Sequence, residues 1–304
     1  MSPEEREAVQ DEVLGARRHL LALAFRMLGT VAEAEDAVQE TYVRWFRLTD
    51  EERDAIKTPR AWLTRAAGRV CLNVLDSARV RRERYAGPWL PEPIPAYAFA
   101  TGGSPAGDPA ERAALDDSIS TALLVVLESM TPAERVSFVL HDVFALPFDD
   151  IAGIVGRSSA ACRQLAASAR RRVEQDGNRS VSRAEHDKVV RAFAAAARSA
   201  DLAALIAVLD PRVVLRSDGG GRVSAARRPV FGADRVARFL FGALERYPGT
   251  EVRDQQTSDG LGLALWSEGR ITGVATLDVL AGLVTDLRLM MNPDKLTLWR
   301  RDTG

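Results

Sequence analysis

The sequence predicts a multidomain chain: two all-α domains, the second with a helix-turn-helix, followed by an α+β domain built on one curved sheet. Three observations predict it. At 304 residues the chain exceeds one ordinary core, so two or three domains are expected. Residues 85 to 110 hold six prolines and four glycines and cannot continue a helix. After Asn178 the pattern changes from helical spacing to helices followed by alternating, strand-like segments.

The first domain spans 10–84. Thr30 with Glu33 forms a capping-box pattern opening a helix through Leu48, and Thr58 followed by Pro59 opens a longer helix toward Arg84. The linker, 85–110, is apolar enough at Trp89, Leu90 and Ile94 to dock on a surface. The second domain, 111–177, carries a helix start at Thr131, Pro132 and Glu134. Its segment FDDIAGIVGRSSAACRQLAASARRRV, Phe148 to Val173, reads as a short helix, a turn at Gly156 and a second helix capped by Ser158. Cys162, Leu165, Ala166, Ala169 and Val173 recur at helical spacing and face inward.

The last domain, 181–304, opens with helices near Arg183 to Arg198 and Asp201 to Leu209. Strand character follows in VVLRS, RVSA, TEVRDQQ, LGLALWS, ITGVATLDV and LVTDLRLMM, with a helix from Gly232 to Tyr247. Gly219, Gly220 and Gly221 after Asp218 predict a tight turn between the first two strands, and Ala281 with Gly282 predicts another. A curved sheet wrapped around helices commonly encloses a pocket.

Composition narrows the classes. A hydrophobic fraction of 46% suffices for packed cores, and the formal net charge of −1 argues against a simple basic nucleic-acid binder. The average conceals clustering: Glu33, Glu35, Asp36 and Glu40 are acidic, whereas Arg79, Arg81, Arg82 and Arg84 are basic. The two cysteines, Cys71 and Cys162, sit at core-facing positions, which excludes a disulfide framework. With no signal peptide or spanning apolar run, the expected location is cytoplasmic, without a membrane partner. No cofactor or metal is expected.

Three faces carry candidate chemistry. On the Thr30 to Leu48 helix, Asp36, Gln39, Glu40 and Val43 form an acidic strip around one valine, suited to protein docking and equally to a solvated face. On the Pro59 helix, Arg65, Arg69, Leu72, Asp76 and Arg79 point outward with Asn73 at the margin, a pattern that can hold a DNA strand and read exposed bases. In the helix-turn-helix, Arg163, Gln164 and Arg171 flanked by Arg157, Arg170 and Arg172 suit duplex reading. That pattern alone also fits a helical hairpin with a solvated arginine face.

The runs EDAVQETYVRW and NVLDSARVRRER, with the helix-turn-helix segment, resemble domains two and four of extracytoplasmic-function sigma factors of bacterial RNA polymerase. The linker GPWLPEP, the turn DGGGR and the tail NPDKL resemble the branch of that family with a SnoaL-like, nuclear transport factor 2-like cone at its C-terminus. The resemblance covers nearly the whole chain. It implies that Asp36, Gln39, Glu40 and Val43 bind core RNA polymerase, and that Arg65, Asn73, Asp76 and Arg79 melt and read the minus-ten promoter element. Arg157, Ser159, Arg163, Gln164, Arg170 and Arg171 are implied at the minus-thirty-five duplex. Two positions depart from the family pattern: Arg222 stands where lysine is usual, and Ala169 where arginine is frequent.

The same resemblance implies regulation in cis. Trp89, Leu90, Pro91, Glu92 and Pro93 of the linker are expected to pack against Asp218, Gly219, Gly220 and Gly221 and against Asn292, Pro293, Asp294, Lys295 and Leu296. The cone's pocket implies an unidentified small-molecule ligand. Asp278 and Asp286 are the catalytic candidates in such a cone, but strand aspartates facing water account for them better, and no enzyme is expected. The competing reading is a free-standing, ligand-responsive DNA-binding repressor, which leaves the acidic helix without a purpose.

Overall fold

The computed structural model describes residues 3–82, 85–96, 121–175 and 181–300. They form two compact units: one holds 3–82 and 123–175, the other 85–96, 121–122 and 181–300. The linker's residues 97–110 and the expected domain start at 111 lie outside the described residues.

The first unit is helical: α1 (Pro3–Gly15), α2 (Arg17–Leu28), α3 (Val31–Phe46), α4 (Asp50–Asp54) and α5 (Pro59–Arg82). They are followed by α6 (Thr121–Glu128), α7 (Pro132–Phe138, running into a π-helical turn Val139–Val143), α8 (Phe148–Val155) and α9 (Ser159–Gln175). Caps fix these boundaries. Thr30 Oγ1 accepts from the Glu33 N–H, and Thr131 with Glu134 forms a reciprocal capping box with Pro132 in the first turn. Gly156 ends α8 in the left-handed region at φ 71°, and Ser158 Oγ accepts from the Ala161 N–H at 3.2 Å to start α9. Leu20, Leu23, Phe25, Leu63 and Ala67 make the core of α2, α3 and α5, while Ile151, Cys162, Ala166 and Ala169 seat the helix-turn-helix. Both cysteines are buried free thiols, and burial pushes Cys71 up to about 12, so it acts as a small apolar side chain.

The second unit begins with α10 (Arg183–Arg198), capped by Ser182, and α11 (Leu202–Ala207), capped by Asp201. Six strands follow: β1 (Leu209–Asp218), β2 (Val230–Phe231), β3 (Glu251–Thr257), β4 (Gly260–Ser267), β5 (Arg270–Leu280) and β6 (Leu283–Met290). Helix α12 (Ala233–Arg246) joins β2 to β3. The sheet order is β2-β1-β6-β5-β4-β3, antiparallel except for the parallel β1–β6 pair. Ala281 and Gly282, at φ 51° and 77°, make the β5–β6 hairpin turn.

Two expectations need correction. The segment RVSA, Arg222 to Ala225, is not a strand, because the Arg222 and Val223 N–H groups both donate to the Gly219 carbonyl at 3.0 Å and close a turn. The strand that follows is instead β2, and the glycine triplet leads the chain away from the sheet edge. The second helix of this unit ends at Ala207, so that Leu209, expected within it, opens β1.

One face of the sheet packs on α10 and α12 through Phe193, Leu215, Val236, Leu263, Leu277 and Leu287. Alternation places Arg216, Asp278, Asp286 and Arg288 on the opposite face.

Candidate functional site

The acidic face of α3 forms as read. Asp36, Gln39 and Glu40 are exposed and Val43 is half-buried, while Ala34, Val38 and Trp45 turn inward. Glu40 is held by Arg44 at 3.0 Å, one turn on. A groove beside this face is lined by Arg17, Glu35, Val38, Gln39, Tyr42, Val43, Phe46 and Arg47. Phe46, 51% exposed, was not expected there. Its signal in the sequence is its spacing, three residues after Val43 and seven after Gln39.

On α5, Asn73 and Asp76 are exposed, and the Arg79 side chain lies outside the described residues. Arg65 and Arg69 point outward as read, and both carry partners within the helical unit. Arg65 Nη1 donates to Asp150 Oδ1 at 3.3 Å and Arg69 Nη2 to the Gly153 carbonyl at 2.6 Å, so both reach α8. The reason is geometric, since long side chains on the outer face of α5 find acceptors on a helix packed against it.

The helix-turn-helix sorts its basic residues into two sets. Arg157, Arg163, Gln164 and Arg171 are exposed. Arg170, also exposed, pairs with Asp142, and Arg172 Nη1 donates to the Ser129 carbonyl at 3.1 Å. Ser159 Oγ donates to Asp149 Oδ1 at 2.5 Å, which ties the first turn of α9 to α8.

The linker and the tail meet in a buried clasp within the second unit. Asp218, at the end of β1, is wholly buried and takes four donors. Its Oδ1 accepts from the Tyr85 hydroxyl at 2.6 Å and the Gly220 N–H at 3.0 Å. Its Oδ2 accepts from the Leu90 N–H at 3.0 Å and from Lys295 Nζ at 2.8 Å. Lys295 Nζ also donates to the Leu90 carbonyl at 2.6 Å and sits 3.9 Å from the Trp89 ring centroid and 5.2 Å from that of Tyr85. An ammonium taken out of water here keeps a carboxylate, a carbonyl and two aromatic faces.

The Asp218 carbonyl accepts from the Met291 and Asn292 N–H groups, and Asn292 Nδ2 donates to Tyr85 Oη at 2.9 Å. Burial raises the Tyr85 hydroxyl above its ordinary value, and its hydrogen bond to Asp218 adds to this.

Glycine is required where the turn touches the tail. A Cβ on Gly220, at φ +63°, would lie 2.4 Å from the Asn292 side chain, and one on Gly219 would lie 2.3 Å from the Val223 carbonyl oxygen. A Cβ on Gly221, at φ +72°, would lie 3.1 Å from the Ala86 Cβ. Pro293 and Lys295 bound a 3-10 turn, Leu296 is fully buried, and exposed Asp294 pairs with Arg222 at 3.1 Å.

The linker continues as a strap. Leu90, Pro91, Glu92, Pro93 and Ile94 are buried, Pro93 accepts from Trp299 Nε1 at 2.8 Å, and Ile94 accepts from the Ser258 N–H at 2.9 Å. Pro95 bridges to Thr257 at the end of β3. Tyr85 and Trp299 were missed by sequence reasoning, because a lone aromatic beside a loop carries no periodic signal. The contact surface is therefore a buried polar cluster, built on the turn after Asp218 and the 3-10 turn of the tail.

Asp278 and Asp286, expected to face water, are partly exposed, with 37% and 28% of their side-chain surface open, and each is paired with an arginine. Arg288 pairs with Asp278 and Arg216 with Asp286, on the sheet face turned away from α10 and α12. Burial raises Asp286 above the usual carboxylate range, opposed by both arginines.

Comparison with known proteins places these surfaces in context. The Sigma-70 region 2 family matches residues 14–83, and Sigma-70, region 4 matches residues 120–173. The chain is 38% identical over 299 residues to the ECF RNA polymerase sigma factor SigJ of Mycobacterium tuberculosis (strain ATCC 25618 / H37Rv), covering 92% of this chain and 91% of that one. It is 36% identical over 290 residues to a probable ECF RNA polymerase sigma factor, SigI, of the same strain, covering 95% and 94%. The crystal structure of Mycobacterium tuberculosis SigJ superposes with a TM-score of 0.70 at 35% identity, covering 97% of this chain and 98% of that one.

Proposed function

The chain belongs to the extracytoplasmic-function sigma factors of bacterial RNA polymerase, and from that premise we propose that its C-terminal cone controls promoter-directed initiation by gripping the linker between the two helical domains. The observation that carries this reading is the clasp: Lys295 and Asp218 hold the peptide of Leu90 from both sides. Residues 85–95 belong to the only chain connection between α5 and α6. Bound to the cone, this segment is held in place; released, it is free to move with the two promoter-reading domains.

In the released form the acidic face of α3, with Asp36, Gln39, Glu40, Val43 and Phe46, docks on core polymerase. Asn73, Asp76 and Arg79, with Arg65 freed from Asp150, engage the melted minus-ten strand. Arg157, Ser159, Arg163, Gln164 and Arg171 read the minus-thirty-five duplex, with Arg170 bracing α9 through Asp142. The cone acts as a sensor, and its charged strand residues serve the sheet rather than a reaction. A free-standing repressor has no use for the acidic face.

The test is reconstitution with purified core polymerase. The full chain is expected to co-elute with it, and Asp36→Arg with Glu40→Arg to abolish that association while leaving duplex binding intact. Deleting the tail from Asn292 is expected to change transcription from a responsive promoter; an unchanged yield would count against control by the cone.

A further inference from the structure

The second unit contains a cavity of about 300 Å³ between the sheet and helices α10 and α12. That is at the lower bound of small-molecule pockets. Its walls are Phe193, Leu240, Leu244, Leu263, Leu287 and Leu289 with smaller apolar side chains between them. Among the residues lining it none is charged, and the polar groups are the hydroxyls of Tyr247, Thr250, Ser267 and Thr272. The alternation of β6 explains this. Leu287 and Leu289 face the cavity while Asp286 and Arg288 face away and pair with Arg216 and Asp278.

An ion entering this cavity would lose its hydration with no counter-charge, so a charged ligand is disfavoured. An apolar molecule gains from burial, and one or two hydroxyl or carbonyl groups find partners among the four hydroxyls.

The cavity also touches the clasp. Val223, Met291 and Pro293 line it. Val223 closes the turn that follows Asp218, and Met291 and Pro293 flank Asn292, whose side chain bonds to Tyr85. A molecule filling the cavity bears on both segments that grip the linker.

We infer that the cone is a receptor for an uncharged, predominantly apolar small molecule, whose occupancy is read by the Asp218–Lys295 clasp. What occupancy does rests on the regulatory reading above; the site and its ligand class do not.

The test uses two fluorescent probes that share one ring system, neutral N-phenyl-1-naphthylamine and anionic 1-anilinonaphthalene-8-sulfonate, titrated into the full chain. The neutral probe is expected to bind one saturable site, roughly tenfold or more tighter than the sulfonate. Ala243→Trp, at a half-buried position of the cavity wall, is expected to abolish that binding. Leu244→Arg is expected to reverse the preference by adding a cation to the wall. Circular dichroism checks that each variant folds, and the reversed preference is itself a gain that a misfolded protein does not show.

Hydrogen exchange at the Leu90 amide is then compared with and without saturating neutral probe, and a change in its rate is expected. Equal or tighter sulfonate binding to the unmodified chain overturns the ligand class. Neutral-probe binding untouched by both variants overturns the site. An unchanged Leu90 amide at saturation overturns the read-out. Transcription indifferent to the clasp, with probe binding intact, removes the regulatory reading and leaves the receptor site standing.

Discussion

Lys295 Nζ lies 2.8 Å from Asp218 Oδ2, joining residues 77 apart in sequence at a point where their side chains are 7% and 0% exposed. Each ion of such a pair loses hydration that the mutual attraction only partly restores, so it persists where neighbouring groups complete its bonding. Here Tyr85, Leu90 and Gly220 complete the carboxylate, and Leu90 and Trp89 complete the ammonium. The linker peptide is therefore part of the ion pair's coordination.

Replacing Lys295 by Met strands the Asp218 carboxylate without its counter-charge and is expected to destabilise the second unit by about 3 to 5 kcal/mol. Urea unfolding followed by hydrogen exchange of the β1 amides measures this. Combining it with Asp218→Asn removes the unpaired charge and is expected to recover part of the loss.

Gly220→Ala is expected to destabilise more than Gly249→Ala. Both glycines have positive φ, +63° and +87°, but a Cβ at Gly220 meets Asn292 whereas one at Gly249 meets nothing within 4 Å. Left-handed strain alone costs about 1 kcal/mol, and the collision with Asn292 adds to it. Thermal unfolding of the two variants side by side gives the comparison.

Stability is expected to fall in alkali through Tyr85. Its folded value is raised above the ordinary 10.0, so its contribution is complete below that value and is lost as pH climbs toward the folded one. The unfolded chain releases the phenolic proton first, and deprotonation would place a phenolate against Asp218. Tyr85→Phe is expected to remove this part of the alkaline limb in a pH series of unfolding midpoints. An unaltered limb would assign the effect to other groups.

Much of this architecture was legible in the sequence because it rests on local rules. Caps at Thr30, Thr131 and Ser158, the turn at Gly156 and the Ala281–Gly282 hairpin each follow from a few adjacent residues. The strand expected at Arg222 to Ala225 failed because backbone bonds to Gly219 outweigh the alternation of Val223 and Ala225. At the clasp, the motifs around Leu90, Asp218 and Lys295 were legible through family resemblance. Their bonding was not, since Tyr85 and Trp299 join it only across more than 130 and 200 residues of chain. Likewise, the outward direction of Arg65 and Arg69 was readable from helical spacing, but their acceptors on α8 are tertiary.

On duplex DNA the arginines of α9 are expected to differ. Arg163 is exposed, and Arg163→Ala is expected to cost about 1 to 3 kcal/mol of binding to a minus-thirty-five duplex if it contacts a guanine edge. Arg170 is engaged by Asp142, so Arg170→Ala is expected to cost less affinity and more helix-turn-helix stability. Fluorescence anisotropy at fixed salt, paired with thermal unfolding, separates the two effects.

Control through the clasp is tested most directly by run-off transcription with purified core polymerase, comparing the full chain with Lys295→Met at equal polymerase occupancy. Release of the linker from the cone predicts a higher transcript yield from the same promoter for Lys295→Met. An unchanged or lower yield, with the variant folded and its Leu90 amide exchanging freely, would contradict it.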